Sequence, residues 1–333
     1  MALNNSILIS RTDSLGDVIL TLPMAGVIKK QFPKIKIYFL AKNYAKAIID
    51  ATENVDEFVS FDELEKLQAE KQVENFRNLN IDAIIHVFPN KLVARIAKKA
   101  GVQIRIGTSH RLYHWTTCNS FVQLGRKNSN LHEAQLNLQL LSPLDININY
   151  SLDELYKFYG FTKIKPLSDE LENILAKDKK NIILHPKSKG SAREWGLENF
   201  QRLVNILPEN EFEIFVTGTQ DEGNLMQEFL LENKAKITDL TGRMTLDELV
   251  SFISRADALV AASTGPLHIA AATGIRAIGI YAPMRPIHPG RWMPLGEKST
   301  HIVKEEYCDD CRKSKECKCI LDITPQQVLE KLK

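Results

Sequence analysis

Short apolar runs alternate with helical patterns along most of the chain. Seven runs of four to seven residues lie at 7–10, 36–40, 83–88, 181–185, 212–218, 258–263 and 277–283. Between them, apolar side chains recur every three or four residues, as helices with one buried face require. Two such sets are Leu15, Val18, Ile19 and Leu22, and Phe200, Leu203, Val204 and Leu207. Strands that alternate with helices predict an α/β fold with parallel sheets.

The length of the chain predicts two domains. A chain of 333 residues exceeds the size at which a single hydrophobic core keeps growing. The segment 150–180 lacks a clear strand and ends in a lysine-rich stretch, after which the strand pattern starts again. We therefore predict domains at 1–165 and 166–333. The simplest architecture is two Rossmann-like domains that face each other across a cleft, with ligands at the carboxyl ends of the strands.

Composition and charge limit the class of protein. Hydrophobic residues make up 44% of the chain and charged residues 25%, as in ordinary globular proteins. A net charge of +2 gives no support for a nucleic-acid partner. We find neither a signal peptide nor an apolar run of about 18 residues, so we expect a cytoplasmic protein. The clustering of four of the five cysteines near the end fits that compartment.

The first loop, "RTDSLGDVILTLP" at 11–23, has an unusual composition for its position. Loops between a strand and a helix often hold phosphate, yet this one contains Asp13, Asp17 and a single glycine, Gly16. Asp13 is placed either to cap the following helix or to support Asp17 as a neighbouring side chain. Asp17 lies off the apolar stripe, about 150° from its centre by the 3.6-residue repeat. Asp17 is then either a reactive carboxylate or an acid that only stabilises the helix dipole.

Two loops in the second half have the chemistry of anion sites. "HPKSKGSAREW" at 185–195 combines lysines, serines, a glycine and Arg193, although a solvated basic loop has the same composition. "ASTGPLHIAAATG" at 262–274 predicts a helix capped by Ser263 or Thr264, whose first N–H groups can bind an anion. His268, one turn into that helix, is either packed or a ligand. Neither loop has a Walker A or a G-x-G-x-x-G sequence, which disfavours P-loop NTPases and ordinary NAD dehydrogenases.

Taken together, these segments resemble glycosyltransferase family 9, the ADP-heptose:lipopolysaccharide heptosyltransferases. The matching pieces are the first loop, "HPKSKGSAREWGLENF", "VTGTQDEG", "LTGRMTLDELVSFISRADALVAASTGPLHIAAATG" and "YAP", in that order. The resemblance implies a GT-B fold with an N-terminal acceptor domain and a C-terminal nucleotide-sugar domain. It also implies inverting, metal-independent transfer of heptose from ADP-L-glycero-D-manno-heptose to a sugar hydroxyl of the lipopolysaccharide inner core.

The same resemblance assigns roles to individual residues. It makes Asp17 the general base, in a loop that Ser14, Leu15 and Gly16 shape. It places the donor diphosphate at one set of residues, the nucleoside at Glu222 and the adenine base near Met244. The diphosphate set is Ser188, Lys189, Arg193, Thr264, Gly265 and His268. Two positions depart from many members: Ser263 replaces an aspartate, and Arg193 stands where others have lysine, which changes a point charge to a fork.

The remaining expectations concern metals and partners. No cofactor or catalytic metal is expected, while Cys308, Cys311, Cys317 and Cys319 either bind one structural zinc or remain metal-free. Basic residues from Lys98 to Arg111, followed by Tyr113, His114 and Trp115, either face a lipid-linked acceptor, with peripheral membrane contact, or form a solvated surface. Two rival functions stay open. They are transfer of another sugar to another glycan, and nucleotide binding by a homologue that has lost catalysis.

Overall fold

A computed structural model describes residues 6–126, 129–285, 287–304, 308, 311 and 317–333. The chain divides into two compact units, Met1–Lys163 and Ile164–Lys333. The predicted boundary between residues 165 and 166 lies two residues beyond this division. We refer to the two parts as unit 1 and unit 2.

Unit 1 contains one six-stranded parallel sheet in the order β3-β2-β1-β4-β5-β6. Its strands are β1 Ser6–Ser10, β2 Lys36–Ala41, β3 Glu57–Ser60, β4 Ala83–His86, β5 Ile104–Thr108 and β6 Ser120–Val122. Its α-helices are α1 Leu15–Ile19, α2 Leu22–Gln31, α3 Lys46–Asp50, α4 Phe61–Lys66, α5 Ala69–Leu79, α6 Lys91–Ala100, α7 His114–Thr117, α8 Glu133–Leu138 and α9 Leu152–Leu155. Short 3₁₀ helices lie at Asn43–Ala45, Gln139–Leu144 and Tyr156–Phe158.

Unit 2 contains a second six-stranded parallel sheet in the order β12-β11-β10-β7-β8-β9. Its strands are β7 Lys180–His185, β8 Phe212–Val216, β9 Ile237–Asp239, β10 Ala258–Ala262, β11 Arg276–Tyr281 and β12 Ser299–Val303. Its α-helices are α10 Asp169–Asn173, α11 Leu197–Ile206, α12 Gln220–Leu225, α13 Gln227–Glu232, α14 Leu246–Arg255, α15 Gly265–Ala272, α16 Pro289–Trp292, α17 Lys318–Leu321 and α18 Pro325–Leu332.

Both sheets have the Rossmann strand order. Numbered from its own first strand, each sheet runs 3-2-1-4-5-6, so the chain direction across the sheet reverses between strands 1 and 4. This switch point lies between β1 and β4 in unit 1 and between β7 and β10 in unit 2. Ligands of such sheets bind beyond the carboxyl ends of the strands at that point. The loops that follow β1, β7 and β10 are therefore the expected positions of a ligand site.

All seven predicted strands are confirmed, and five further strands were not predicted. Four of these five, β3, β6, β9 and β12, are the edge strands of the two sheets. An edge strand needs fewer apolar side chains because solvent covers part of it. The fifth is β5, whose sequence "IRIGT" is interrupted by a charged residue.

The helix predicted across Leu15–Leu22 is wrong as a single element. The structure ends α1 at Ile19 and begins α2 at Leu22. Pro23 lacks the N–H that a continuous helix would need at that position, so the chain starts a new helix instead. The second predicted helix is confirmed as α11, which buries Phe200, Leu203 and Val204. Within the described residues, none of the helices is long and apolar enough to cross a bilayer.

Candidate functional site

In the acidic loop after β1, both carboxylate oxygens of Asp17 accept hydrogen bonds. Arg11 donates from Nη2 to one oxygen, and the Ser14 hydroxyl donates to the other. The Asp17 side chain is 16% exposed. Because a carboxylate offers about four acceptor positions, these two donors leave Asp17 able to accept a further proton donor from solvent or substrate.

Arg11 organises this loop, and it was not among the predicted site residues. Its side chain is only 4% exposed. Besides Asp17, its guanidinium donates to Asp13 Oδ1 at 2.6 Å, and to Glu133 Oε1 and Asn137 Oδ1 at 3.3 Å each. The sequence contained one signal, a cation directly after the buried run "ILIS" with acids two and six residues later.

Glu133 forms ion pairs with Arg11 and with a second arginine, Arg126. It lies at the start of α8, its side chain has no exposed surface, and it also accepts from Arg126. Arg126 further donates to Asn137 Oδ1 at 3.1 Å. Two guanidinium groups are thus shared among the carboxylates of Asp13, Asp17 and Glu133. Such an arrangement holds side chains in fixed geometry because each buried charge needs its partners.

The expectation that Asp13 caps the first helix is wrong. Ser14 is the N-cap residue of α1, and no side-chain hydrogen bond caps that helix. The Asp13 carboxylate accepts a hydrogen bond from Arg11 instead of from the N–H groups of α1. Burial raises the pKa of Asp13 above its ordinary value of 3.8, and the charge of Asp17 adds to this effect while Arg11 opposes it. Asp13 therefore positions the Arg11 side chain and does not cap α1.

In unit 2, the loop after β7 forms a tight turn. Lys189 and Gly190 have φ angles of 48° and 78°, in the left-handed region. The Ser188 N–H and hydroxyl donate to Glu194 Oε1 at 3.0 and 3.1 Å, while Lys187 pairs with the other oxygen at 2.7 Å. Glu194 thus occupies donors that the resemblance assigns to a phosphate. An anion at Ser188 would have to displace this carboxylate, whereas Lys189 is exposed.

The loop after β10 leads directly into α15. Of the two predicted N-caps, the structure selects Thr264, and Pro266 lies in the first turn. The Thr264 hydroxyl is buried and makes no hydrogen bond within the part of the chain that the structure describes. Gly265 is half-buried at the first helical position, and His268 is buried one turn later. Because a buried hydroxyl without a partner costs free energy, Thr264 is placed to receive a ligand oxygen.

A small cavity joins the two loops of unit 2. Its lining includes Ala192 and Arg193 from the first loop, Ser263 from the second, and Tyr281 and Met284 from the end of β11 and beyond. The Tyr281 hydroxyl donates to the Trp292 carbonyl, and burial raises the pKa of Tyr281. The structure therefore brings Arg193 and Ser263 together at the switch point.

The residues assigned to the nucleoside have different surroundings. Glu222 is buried and forms a capping box, in which its Oε2 accepts from the Thr219 N–H at 2.7 Å and hydroxyl at 3.0 Å. Nearby, burial lowers the pKa of His185 to about 4, although the charges of Glu222 and Glu194 oppose this effect. Met244 is half-buried in the turn before α14. Glu222 thus stabilises the N-terminus of α12.

The basic run of unit 1 is only partly a surface feature. Arg105 donates from Nε to the Thr117 carbonyl at 2.7 Å, and His114 is fully buried. In contrast, Leu112 and Trp115 are 88% and 66% exposed beside Arg111, which is also exposed. The exposed surface therefore combines a cation with two large apolar side chains.

Comparison with solved structures identifies the fold. The structure of the E. coli heptosyltransferase WaaC with ADP has a TM-score of 0.72 and 17% identity, and the match covers 98% of this chain and 100% of that chain. The two Rossmann-like units define an α/β protein with the GT-B fold. The model of glycosyltransferase family 9 (heptosyltransferase) matches residues 72–320, and the chain belongs to this family.

Curated relatives agree with this membership. A putative glycosyltransferase from Haemophilus influenzae is 25% identical over 307 residues, which cover 89% of this chain and 88% of the relative. Lipopolysaccharide heptosyltransferase 3 from Escherichia coli K12 is 23% identical over 279 residues, which cover 80% of this chain and 79% of the relative.

Proposed function

We propose that this protein transfers heptose, with inversion, from ADP-L-glycero-D-manno-heptose to a sugar hydroxyl of the lipopolysaccharide inner core. In this proposal Asp17 is the general base, and neither a cofactor nor a catalytic metal takes part. Unit 1 binds the lipid-linked acceptor and unit 2 binds the nucleotide sugar. The observation that carries the proposal is that the two candidate anion-binding loops of unit 2 follow neighbouring strands, β7 and β10, at the switch point.

The donor side has to stabilise the departing diphosphate. Negative charge develops on the leaving group as the bond to the anomeric carbon breaks, so fixed cations and N–H groups lower the barrier. Arg193 and Lys189 supply cations, and the N-terminus of α15 at Thr264 and Gly265 supplies N–H groups. The positive end of the α15 dipole acts in the same direction. This set makes a general acid unnecessary, because ADP is already a good leaving group.

The acceptor side has to remove a proton from a weakly nucleophilic hydroxyl. Asp17 has an exposed fraction of 16% and is held at both oxygens, so its orientation is fixed before the acceptor binds. A carboxylate within hydrogen-bond reach can accept the hydroxyl proton as the glycosidic bond forms. Attack by that hydroxyl on the face opposite the diphosphate gives inversion at the anomeric carbon.

The proposal is tested by measuring ADP release from ADP-L-glycero-D-manno-heptose with an inner-core acceptor. Asp17→Asn should lower kcat by about 10²–10⁴-fold, the usual contribution of a general base, while the Kd of the donor changes less than about twofold. Asp153→Asn, an exposed acid in the same unit, is the matched control. A kcat for Asp17→Asn within about threefold of wild type would overturn the assignment of the base.

Donor identity needs a separate measurement because Ser263 stands where many members have aspartate. A screen of nucleotide sugars by product formation compares kcat/KM between donors, and contacts to sugar hydroxyls set that ratio. We expect the ADP-heptose to be preferred over UDP- and GDP-sugars. A preference for another donor would support the rival transferase, and no turnover with any donor would support the nucleotide-binding homologue.

We also propose peripheral membrane contact through the surface formed by Arg111, Leu112 and Trp115. Exposed apolar side chains next to a cation are suited to anionic lipid headgroups and the chains below them. The protein should sediment with vesicles that contain anionic lipid, and Leu112→Ser with Trp115→Ser should weaken this association. Equal sedimentation of the double variant would argue against this surface.

A further inference from the structure

Four cysteine side chains of unit 2 converge near the end of the chain. The Sγ atoms of Cys308, Cys311 and Cys319 lie within 4.8 Å of one another. Cys317 joins them, with its Sγ 2.8 Å from that of Cys311. None of these four cysteines forms a disulfide bond. Buried cysteines often pack singly as small apolar residues, but here three sulfurs form one close group and a fourth contacts Cys311.

We propose that these four cysteines bind one structural zinc ion as a tetrathiolate site. The ligands follow the pattern C-x₂-C-x₅-C-x-C within twelve residues, and four thiolates are a complete set for tetrahedral zinc. Soft sulfur ligands select zinc or iron over magnesium and calcium, and zinc binds more tightly than ferrous iron in the Irving–Williams order. The site has no position left for substrate, so its role is structural.

The distances are close to those that the metal requires. With Zn–S bonds of about 2.3 Å, the edges of a tetrahedral site are about 3.8 Å long. The separation of 2.8 Å between Cys311 and Cys317 then has to open by about 1 Å. That separation is longer than the 2.05 Å of a disulfide bond. The Cys317 sulfur has to move most, because it lies outside the group formed by Cys308, Cys311 and Cys319.

The proposed site is connected to the donor loop of unit 2. Arg193 donates from Nη2 to the Cys311 carbonyl at 3.2 Å, and the Cys308 N–H donates to the Pro283 carbonyl at 2.9 Å. Further along, the Trp195 indole N–H donates to the Ile323 carbonyl at 2.8 Å. The Cys311 backbone therefore contacts the loop that supplies Arg193. A metal that fixes Cys311 would also fix the position of the Arg193 guanidinium.

Metal analysis of the full-length protein tests the inference, with protein purified without a histidine tag and without added zinc. We expect about one zinc per chain by mass spectrometry of the metal. Cys311→Ser and the half-buried Cys319→Ser should each reduce it below about 0.2 per chain. Cys118→Ser, a buried cysteine of unit 1, is the matched control and should retain the metal.

A second measurement uses the wild-type protein and does not depend on the folding of a variant. Titration with a mercurial should release one zinc as four thiols react, and replacement by cobalt should give thiolate-to-metal charge-transfer bands. Less than about 0.1 zinc per chain with four freely reacting thiols would overturn the proposal. So would stoichiometric iron, or peptides joined by disulfides among the four cysteines. None of these readouts depends on the transfer reaction, so the site stands or fails separately from the proposed function.

Discussion

Replacement of Arg11 by methionine should strongly destabilise unit 1. The guanidinium contacts three carboxylates, Asp13, Asp17 and Glu133, and its side chain is 4% exposed. Methionine occupies a similar volume without charge, so the change tests electrostatics more than packing. Asp17 would lose one of its two side-chain donors, and Glu133 would remain buried beside Arg126.

The expected magnitude follows from the burial of these groups. Removal of one partner of a buried ion pair costs about 3–5 kcal/mol because a charge is left without compensation. A cooperative unit of 163 residues unfolds with an entropy of about 0.34 kcal/mol per kelvin, at about 2.1 cal/mol/K for each residue. The Tm of unit 1 should therefore fall by about 9–15 °C.

Differential scanning calorimetry of the full chain measures this shift. Arg77→Met is the control, because Arg77 is exposed in the same unit and its replacement should change stability by less than about 0.5 kcal/mol. Arg11→Lys should fall between wild type and Arg11→Met, since lysine keeps the charge but loses the fork. A decrease of less than about 1 kcal/mol for Arg11→Met would refute the view that this network stabilises the loop.

Three further predictions concern single side chains. Because the pKa of Asp13 is raised in the fold, its stabilising contribution is complete below its unfolded pKa and is lost as pH rises through the folded value. Asp13→Asn should therefore increase the free energy of unfolding at pH 7 but not at pH 3, as measured by urea denaturation. A decrease in the free energy of unfolding at pH 7 would contradict this prediction. Gly26→Ala should destabilise by about 1–3 kcal/mol, because its Cβ would clash with the Phe158 carbonyl; an unchanged Tm would show that the backbone moves aside. Thr264→Val removes a buried hydroxyl without a partner in the described residues, so Tm should stay the same or rise. The Kd for ADP should increase about tenfold or more, as expected for a lost hydrogen bond to a charged group. An unchanged Kd by calorimetry would exclude this ligand contact.

The sequence predicted those parts of the fold that depend on buried periodic runs. The seven predicted strands include the central β1, β4, β7 and β10, which are almost entirely buried, as the inner strands of a parallel sheet must be. The edge strands were missed because their exposed positions tolerate polar residues, as in Glu57–Ser60. The break between α1 and α2 was missed because apolar spacing continues across it although Pro23 interrupts the hydrogen bonds.

The candidate site was predictable only where its residues are neighbours in sequence. The loops that contain Asp17, Arg193 and Thr264 are each a single segment, so their composition indicated their chemistry. The partnership of Arg11 with Glu133 joins residues 122 positions apart, and no local pattern reports such a contact. Likewise, "KSK" indicates a phosphate loop, but only the structure shows that Glu194 occupies the Ser188 donors and neutralises Lys187.

The two units show how one topology supports two opposite chemistries. In unit 1 the loop after the first strand at the switch point carries Asp13 and Asp17, whereas the equivalent loop in unit 2 carries Lys187, Lys189 and Arg193. The strand order determines where a ligand can bind, because parallel strands end at the same edge. It does not determine what binds, since side chains set the charge. In the reaction that we propose, the acidic composition of "RTDSLGDVILTLP" has its own use, because the attacking hydroxyl needs a base as much as the diphosphate needs cations.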